Sequence, residues 1–315
     1  EPQRITFASG DRVTFDRVLI GEVWFAGGQS NMEMPLGGFW QCPVTDANEI
    51  IARASAKSGK LHYVKIPHAA AYTPQDRTAG SWTPCTTATA AKFTAAGYFF
   101  AEMLNDVLSV PVGIIDCSWG GSRVESWMSR EVLSGYSDID LTEEGISRVA
   151  QHLRPMVMYN AMLRPVAGYT VRGFLWYQGE SNVGRYMDSA ARLADMVSLW
   201  RGLWAQDDLP FYYVEIAPFE YGNGKSPYLR EAQCRAQELI PNSGMICTND
   251  LVEPYEFCNV HPKNKRDVGY RLAFMALNKT YGMREIACQS PQYESMEIRD
   301  GKARIRFKYM DQGFN

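Results

Sequence analysis

Two residues far apart in the chain have the types needed for acyl transfer. Ser30 lies in Gly27-Gly28-Gln29-Ser30-Asn31-Met32, and His261 lies in Val260-His261-Pro262. A serine hydroxyl becomes a nucleophile when a base within hydrogen-bond reach takes its proton, and histidine is the usual base. Ester cleavage also needs donors aimed at the oxyanion that forms on the attacked carbonyl. Glycines let backbone N–H groups approach closely. The Ser30 N–H, the N–H of Gly120 or Gly121 in Trp119-Gly120-Gly121-Ser122-Arg123, and the amide of Asn182 in Gln178-Gly179-Glu180-Ser181-Asn182 are candidate donors. His62 sits within a predicted strand, His68 comes just after it and His152 lies in a mixed pattern, so these three are read as structural or solvated.

These segments need elements that bring them together. Apolar runs bounded by Gly or Pro predict buried strands at Val18–Phe25, Leu61–Ile66, Val112–Cys117, Val171–Tyr177, Phe211–Ile216 and Met245–Thr248. Helical spacing of apolar residues predicts helices at Phe93–Leu108, Ser189–Trp204, Tyr228–Ile240 and Asp267–Lys279. Strands alternating with helices build a parallel sheet covered on both faces. Ligands of such a sheet bind beyond the carboxyl ends of its strands, where the four polar segments fall. At the ends of the chain, Ile5–Val18 and Tyr293–Tyr309 read as pieces of β structure with turns at Ser9-Gly10 and Asp300-Gly301. The expected organisation is a β segment over 1–17, a catalytic α/β domain over 18–285 and a β segment over 286–315 that opens a longer β region.

Composition narrows the chemistry. The 315 residues allow one large α/β domain, and the net charge of −3 offers no basic surface for nucleic acid. No apolar run approaches the roughly 20 residues of a membrane span. The seven cysteines show no C-x-x-C spacing, which argues against zinc and dithiol redox sites; one disulfide involving Cys42 and Cys85 is an open expectation. Gly222-Asn223-Gly224-Lys225-Ser226 lacks the first glycine of a phosphate loop and reads as a loop before a helix; G-x-G-x-x-G after a strand and H-E-x-x-H are both missing. Asn278-Lys279-Thr280 fits a glycosylation sequon by pattern, but lies at a helix end. Gly28-Gln29-Ser30-Asn31-Met32 also lacks the second glycine of the α/β-hydrolase elbow.

Several ordered motifs together resemble the sialate O-acetylesterase family of the SGNH-hydrolase superfamily. They are Ile20–Trp24 running into Gly28–Glu33, Trp119–Ser122 with Glu125 and Trp127, Tyr159–Pro165, Trp176–Asn182, Leu229–Gln233, and His261–Lys265 followed by Val268-Gly269 and Arg271-Leu272-Ala273. The resemblance spans residues 18 to 280. It implies a flavodoxin-like three-layer α/β/α core with Ser30 as nucleophile, His261 as base, and an oxyanion hole from the N–H of Ser30 and of Gly120 or Gly121 with Asn182. It implies no metal and no organic cofactor. The chain departs from the pattern where an acid is expected two or three residues before the histidine: Asn259 and Cys258 stand there. Asp250, after the last core strand, is the first candidate to orient His261; Glu253, Glu256 and Glu180 are alternatives, as is a Ser–His pair without an acid. Glu180 is preferred as a brace of the oxyanion loop through Gln29 or nearby backbone.

The expected function is removal of acetyl groups from sugar hydroxyls, with 9-O-acetylated sialic acid as the leading substrate and Arg123 or Arg185 binding its carboxylate. Acetylxylan or another acetylated glycan is the alternative. Two rivals are a non-catalytic glycan-binding module on the same fold and a lipid esterase with a deeper apolar pocket. The acetylated carbohydrate is the one partner expected. A periplasmic or secreted location is expected from the missing initiator methionine and the extracellular nature of acetylated glycans.

Overall fold

The computed structural model describes residues 2–222 and 224–310, so Asn223 of the Gly222–Ser226 loop and the chain after 310 lie outside the described residues. The amino-terminal segment is an antiparallel hairpin of β1 (Gln3–Ser9) and β2 (Asp11–Val18). The first core strand is β3 (Glu22–Gly28). The run read as one strand over Val18–Phe25 is thus split. At Gly21 the backbone presses on Pro111, where a side chain would collide with the carbonyl, and Glu22 N–H donates to that same oxygen at 2.9 Å.

The core continues with β4 (Leu61–Lys65), β5 (Thr83–Pro84), β6 (Val112–Ser118), β7 (Gly173–Tyr177), β8 (Phe211–Val214) and β9 (Ser243–Ile246). They form a seven-stranded sheet in the order β5-β4-β6-β3-β7-β8-β9, parallel except for β5 at one edge. The two-residue β5 has no hydrophobic alternation to announce it and was not expected from sequence. A second hairpin, β10 (Gln292–Arg299) with β11 (Lys302–Lys308), ends the described chain.

Successive residues of a strand point to opposite faces, and the core shows it. Trp24, Ile114, Leu175 and Tyr212 pack under the helices Ala95–Leu108 and Arg266–Lys279. Phe25, Ile115, Trp176 and Tyr213 pack under Ser189–Trp204 and Ser226–Leu239. The helices fall within two residues of the expected starts and one of the expected ends, because apolar periodicity and the breakers at their ends act locally. Thr94, for example, accepts the Gly97 N–H and starts its helix two residues after Phe93.

The topology has one consequence for chemistry. From β3 the chain goes to β4 and β6 on one side of β3 and then crosses to β7 on the other. The crevice at this reversal opens beyond the carboxyl end of β3. Gly28 of β3 is level with Ser118 of β6 and Tyr177 of β7, so the polar segments after these three strands emerge side by side.

Candidate active site

Gly28 ends β3 with φ +142°, and a side chain there would strike the Tyr177 carbonyl, so only glycine allows this approach. The next residues turn at once into a single helical turn, Ser30–Glu33, with Met32 and Glu33 N–H both bonding Gln29 O at 2.9 Å. Ser30 opens that turn on the crevice side of the sheet. Neighbouring loops are tied to it by backbone and side chain: Gln29 N–H donates to Tyr177 O at 3.0 Å, and Trp119 N–H to Gly28 O at 3.0 Å. Gln29 Oε1 accepts from Gly179 N–H at 3.2 Å and Ser181 N–H at 3.3 Å. Ser181 Oγ donates to Gly121 O at 2.8 Å, closing the ring of three loops.

The oxyanion candidates are not equivalent. Gly120 packs against Ser30 but gives its N–H to Glu33 Oε2 at 2.6 Å. Gly121, at φ +73°, has no such acceptor among the described residues. Asn182 is buried; its Oδ1 accepts from Gln178 Nε2 at 2.7 Å and Val124 N–H at 3.1 Å, while its Nδ2 donates to Glu125 Oε2 at 2.9 Å. One amide hydrogen of Asn182 is therefore committed to Glu125, which fixes the direction of the other. Glu125 is in turn held by Arg192 Nη1 at 2.8 Å, with Arg185 Nε at 3.2 Å.

His261 arrives from the opposite edge of the sheet. The long loop between Ile246 and Arg266 crosses the carboxyl ends of the strands and is organised by Glu256, whose carboxylate accepts from Lys263 N–H at 2.9 Å and Glu253 N–H at 3.1 Å. The decisive bond is made by Asn31. Its Nδ2 donates to Val260 O at 2.9 Å and to Glu180 Oε1 at 2.7 Å, and its Oδ1 accepts from Lys265 Nζ at 2.7 Å. The neighbour of Ser30 thus holds the neighbour of His261. Glu180 bonds Asn31 and its own backbone, not Gln29, while Gln29 accepts from the N–H groups of Gly179 and Ser181 in the same loop.

The electrostatics of this junction arise from burial. Lys265 is 1% exposed; burial pushes its ammonium down to about 7, against the pull of Glu180 and Glu256. Burial raises the Glu180 carboxyl, opposed by its own backbone, Asn31 and Lys265. Burial and the Lys265 charge push His261 down to about 4, so its imidazole is neutral across the physiological range. Its Nε2 is buried with no hydrogen-bond partner among the described residues, and its main-chain N–H donates to Asn259 Oδ1 at 2.9 Å. Phe39 meets the ring edge-on, with centroids 5.2 Å apart.

Sequence-based expectations meet two corrections here, at Asp250 and at the Cys42–Cys85 pair. Asp250 does not reach His261: both its oxygens bind Arg271, Oδ1 at 2.8 Å from Nη1. Its position after β9 puts it at the sheet edge, and only the long loop returns to the centre. His68, read as structural or solvated, takes a structural place beside the Ser30–Glu33 turn. Its Nε2 is 2.7 Å from Glu33 Oε1 and its ring stacks on Trp119 at 4.4 Å. Lys65 Nζ is 3.3 Å from the same Glu33 oxygen. Burial raises the Glu33 carboxyl, but the bonds from His68 and Gly120 and the Lys65 charge outweigh it and hold it low. Like the polar segments, His68 lies beyond the carboxyl end of a strand. Cys42 and Cys85 are both free: Cys42 Sγ lies 3.6 Å from Asn259 Oδ1, while Cys85 is buried in the core.

Of the two arginines expected at the substrate, Arg185 is committed to Glu125 and to Asp138 Oδ2 at 2.7 Å. Arg123 has a buried Nε without a partner among the described residues. Both line a cleft of about 160 Å³ with Asp138, Asp140 and Leu153.

This geometry can be set beside known proteins. Residues 20–278 match the family described as carbohydrate esterase, sialic acid-specific acetylesterase. The chain is 26% identical over 344 residues to the sialate O-acetylesterase of Mus musculus, across 93% of this chain and 62% of that protein. It is 27% identical over 319 residues to the sialate O-acetylesterase of Homo sapiens, across 94% of this chain and 60% of that one. The chain thus spans about three fifths of these relatives. Among solved structures, a carbohydrate acetylesterase from Xanthomonas citri is similar with a TM-score of 0.85 and 33% identity, covering 98% of this chain and 68% of the other. An Arabidopsis thaliana protein with 18% identity and a TM-score of 0.51 shares the fold, over 82% of this chain and 99% of its own. With the match running through every loop that builds the crevice, from the Ser30 turn to His261, this chain belongs to the sialic acid-specific acetylesterase family of carbohydrate esterases.

Proposed function

We propose that the protein is a carbohydrate O-acetylesterase working through Ser30 and His261, with 9-O-acetylated sialic acid as its leading substrate. The carrying observation is the Asn31 bond to Val260 O, which links the residues next to Ser30 and His261 across the crevice. His261 Nε2, buried and unpartnered among the described residues, is the atom that takes the Ser30 proton as Oγ bonds to the acetyl carbon. The carbonyl oxygen becomes an oxyanion held by the N–H groups of Ser30 and Gly121 and the free amide hydrogen of Asn182. Collapse breaks the bond to the sugar oxygen, which receives the proton from His261. Water, deprotonated by the same imidazole, then releases acetate and restores Ser30.

The pair acts as a dyad. Among the described residues no carboxylate bonds the His261 ring. Neutral imidazole is secured by burial, and the Asn31 and Glu256 bonds hold the segment that an acid would otherwise steady. Arg123 is the residue that reads the sugar carboxylate, because Arg185 is ion-paired with Glu125 and Asp138 while Arg123 makes no ion pair among the described residues. A periplasmic or secreted location accords with where acetylated glycans occur.

Hydrolysis of p-nitrophenyl esters of rising chain length by the wild type and Ser30→Ala tests this. Acetate ester turnover should disappear in the mutant, with the folded state intact by circular dichroism. Preference for long acyl chains would sink the reading in favour of a lipid esterase, and a wild type that releases no acetate would favour a glycan-binding module. Acetate release from 9-O-acetylated sialic acid against acetylxylan, in wild type and Arg123→Met, assigns the sugar. Only the sialic acid ester should depend on Arg123.

A further inference from the structure

Seven of the eight tryptophans are at least partly covered, but Trp40 is 85% exposed. It is not on a loose segment. Phe39 N–H donates to Cys42 O at 2.9 Å and Cys42 N–H to Phe39 O at 3.0 Å, so Trp40 and Gln41 form the tip of a tight turn. Gln41 takes φ +59°, a conformation in which glycine would be unstrained. Both feet of the turn stand on the His261 segment. The Phe39 ring meets the His261 ring at 5.2 Å, and Cys42 Sγ lies 3.6 Å from Asn259 Oδ1. A few residues on, Thr45 N–H donates to Lys263 O at 3.0 Å. A large apolar side chain is therefore held out of the core, on a strained turn, beside the catalytic imidazole.

The chemistry says what lies on that side. The imidazole that takes the serine proton must deliver it to the departing oxygen, so the leaving sugar sits by His261 and the acetyl group by the oxyanion donors. The face of a pyranose that carries its C–H bonds is apolar and stacks on aromatic rings, and indole offers the largest such ring. Two more exposed aromatics lie on the loop leading to His261: Tyr255, 72% exposed with Lys263 Nζ 4.6 Å over its ring, and Phe257, 51% exposed.

We propose that Trp40 is the stacking platform for a pyranose ring of the leaving glycan, and so a residue that makes the site select sugar esters over simple ones. This rests on the acetylesterase reading above. The tests are kcat/KM for 9-O-acetylated sialyllactose, acetylated xylo-oligosaccharide and p-nitrophenyl acetate in wild type, Trp40→Ala and Trp40→Phe. Loss of a stacking face is worth about tenfold in discrimination. The preference for sugar ester over p-nitrophenyl ester should fall by that factor in Trp40→Ala, through KM, and be partly restored in Trp40→Phe. A preference unchanged in Trp40→Ala, or a parallel loss on all three substrates, overturns the proposal. Calorimetric binding of the same two sugar esters to Ser30→Ala and to Ser30→Ala/Trp40→Ala reads the platform without turnover. Weaker binding in the double mutant supports it even if the catalytic reading fails; equal binding refutes it.

Discussion

Replacing Asn31 by alanine should damage stability and catalysis together, and by amounts the structure allows one to work out. The side chain is fully buried and makes three bonds: to Glu180 Oε1 at 2.7 Å, to Val260 O at 2.9 Å, and from Lys265 Nζ at 2.7 Å. Two involve ionisable groups, at about 1.5–3 kcal/mol each, and one is neutral, at about 0.5–1.5 kcal/mol. The gross loss is thus roughly 3.5–7.5 kcal/mol, reduced by water entering the space, for an expected loss of about 3–5 kcal/mol. That is a large share of the roughly 5–15 kcal/mol that holds a typical domain together. Freed from Asn31, Val260 no longer fixes His261, and a displacement of about 1 Å costs roughly 10²-fold in rate. Urea unfolding and single-turnover hydrolysis of p-nitrophenyl acetate measure the two effects. Asn31→Asp serves if the alanine variant does not fold: it keeps an acceptor for Lys265 but cannot donate to Val260 and sets a second carboxylate against Glu180. Unfolding free energy within about 1 kcal/mol of wild type, together with a rate within about threefold, would refute the idea that Asn31 joins the two halves of the site.

Two further outcomes concern pH and the acid. The His261 imidazole is held near 4, below its unfolded value of 6.5, by burial and Lys265. The unfolded chain therefore binds the proton first as pH falls, and the stability tied to neutral His261 is present above about 6.5 and lost as pH drops through the folded value. The acid limb of kcat/KM should lie near pH 4, and Lys265→Met should move it upward, since Lys265 is charged below about 7; a limb unmoved in the mutant would remove Lys265 from this role. Asp250→Ala, which frees only Arg271 at an exposed site, should change stability by about 0–1 kcal/mol and leave kcat within about twofold; a tenfold fall, the scale of general-base assistance, would restore Asp250 as the orienting acid.

The sequence alone determines six of the seven sheet strands, the four long helices and the four polar segments beyond the strand ends. These are legible because apolar periodicity, glycines and caps act over a few residues, and because a parallel sheet gathers the segments beyond its carboxyl ends on one side. Ser30, His261, Gly121 and Asn182 could therefore be named from their places after strands. The partners of those residues could not. Nothing local says that Asn31 spans to Val260, that Glu180 bonds Asn31 instead of Gln29, or that Lys265 supplies a buried charge beneath His261. Asp250 looked suitable because it comes after a strand, yet β9 lies three places from β3, and the distance across the sheet hands it to Arg271. The same geometry brings Glu33, Lys65 and His68 together from two strand ends. Periodicity reports which face a residue takes; which buried polar groups end up within 3 Å of each other depends on strand order and on the path of a long loop, and only the folded chain decides those.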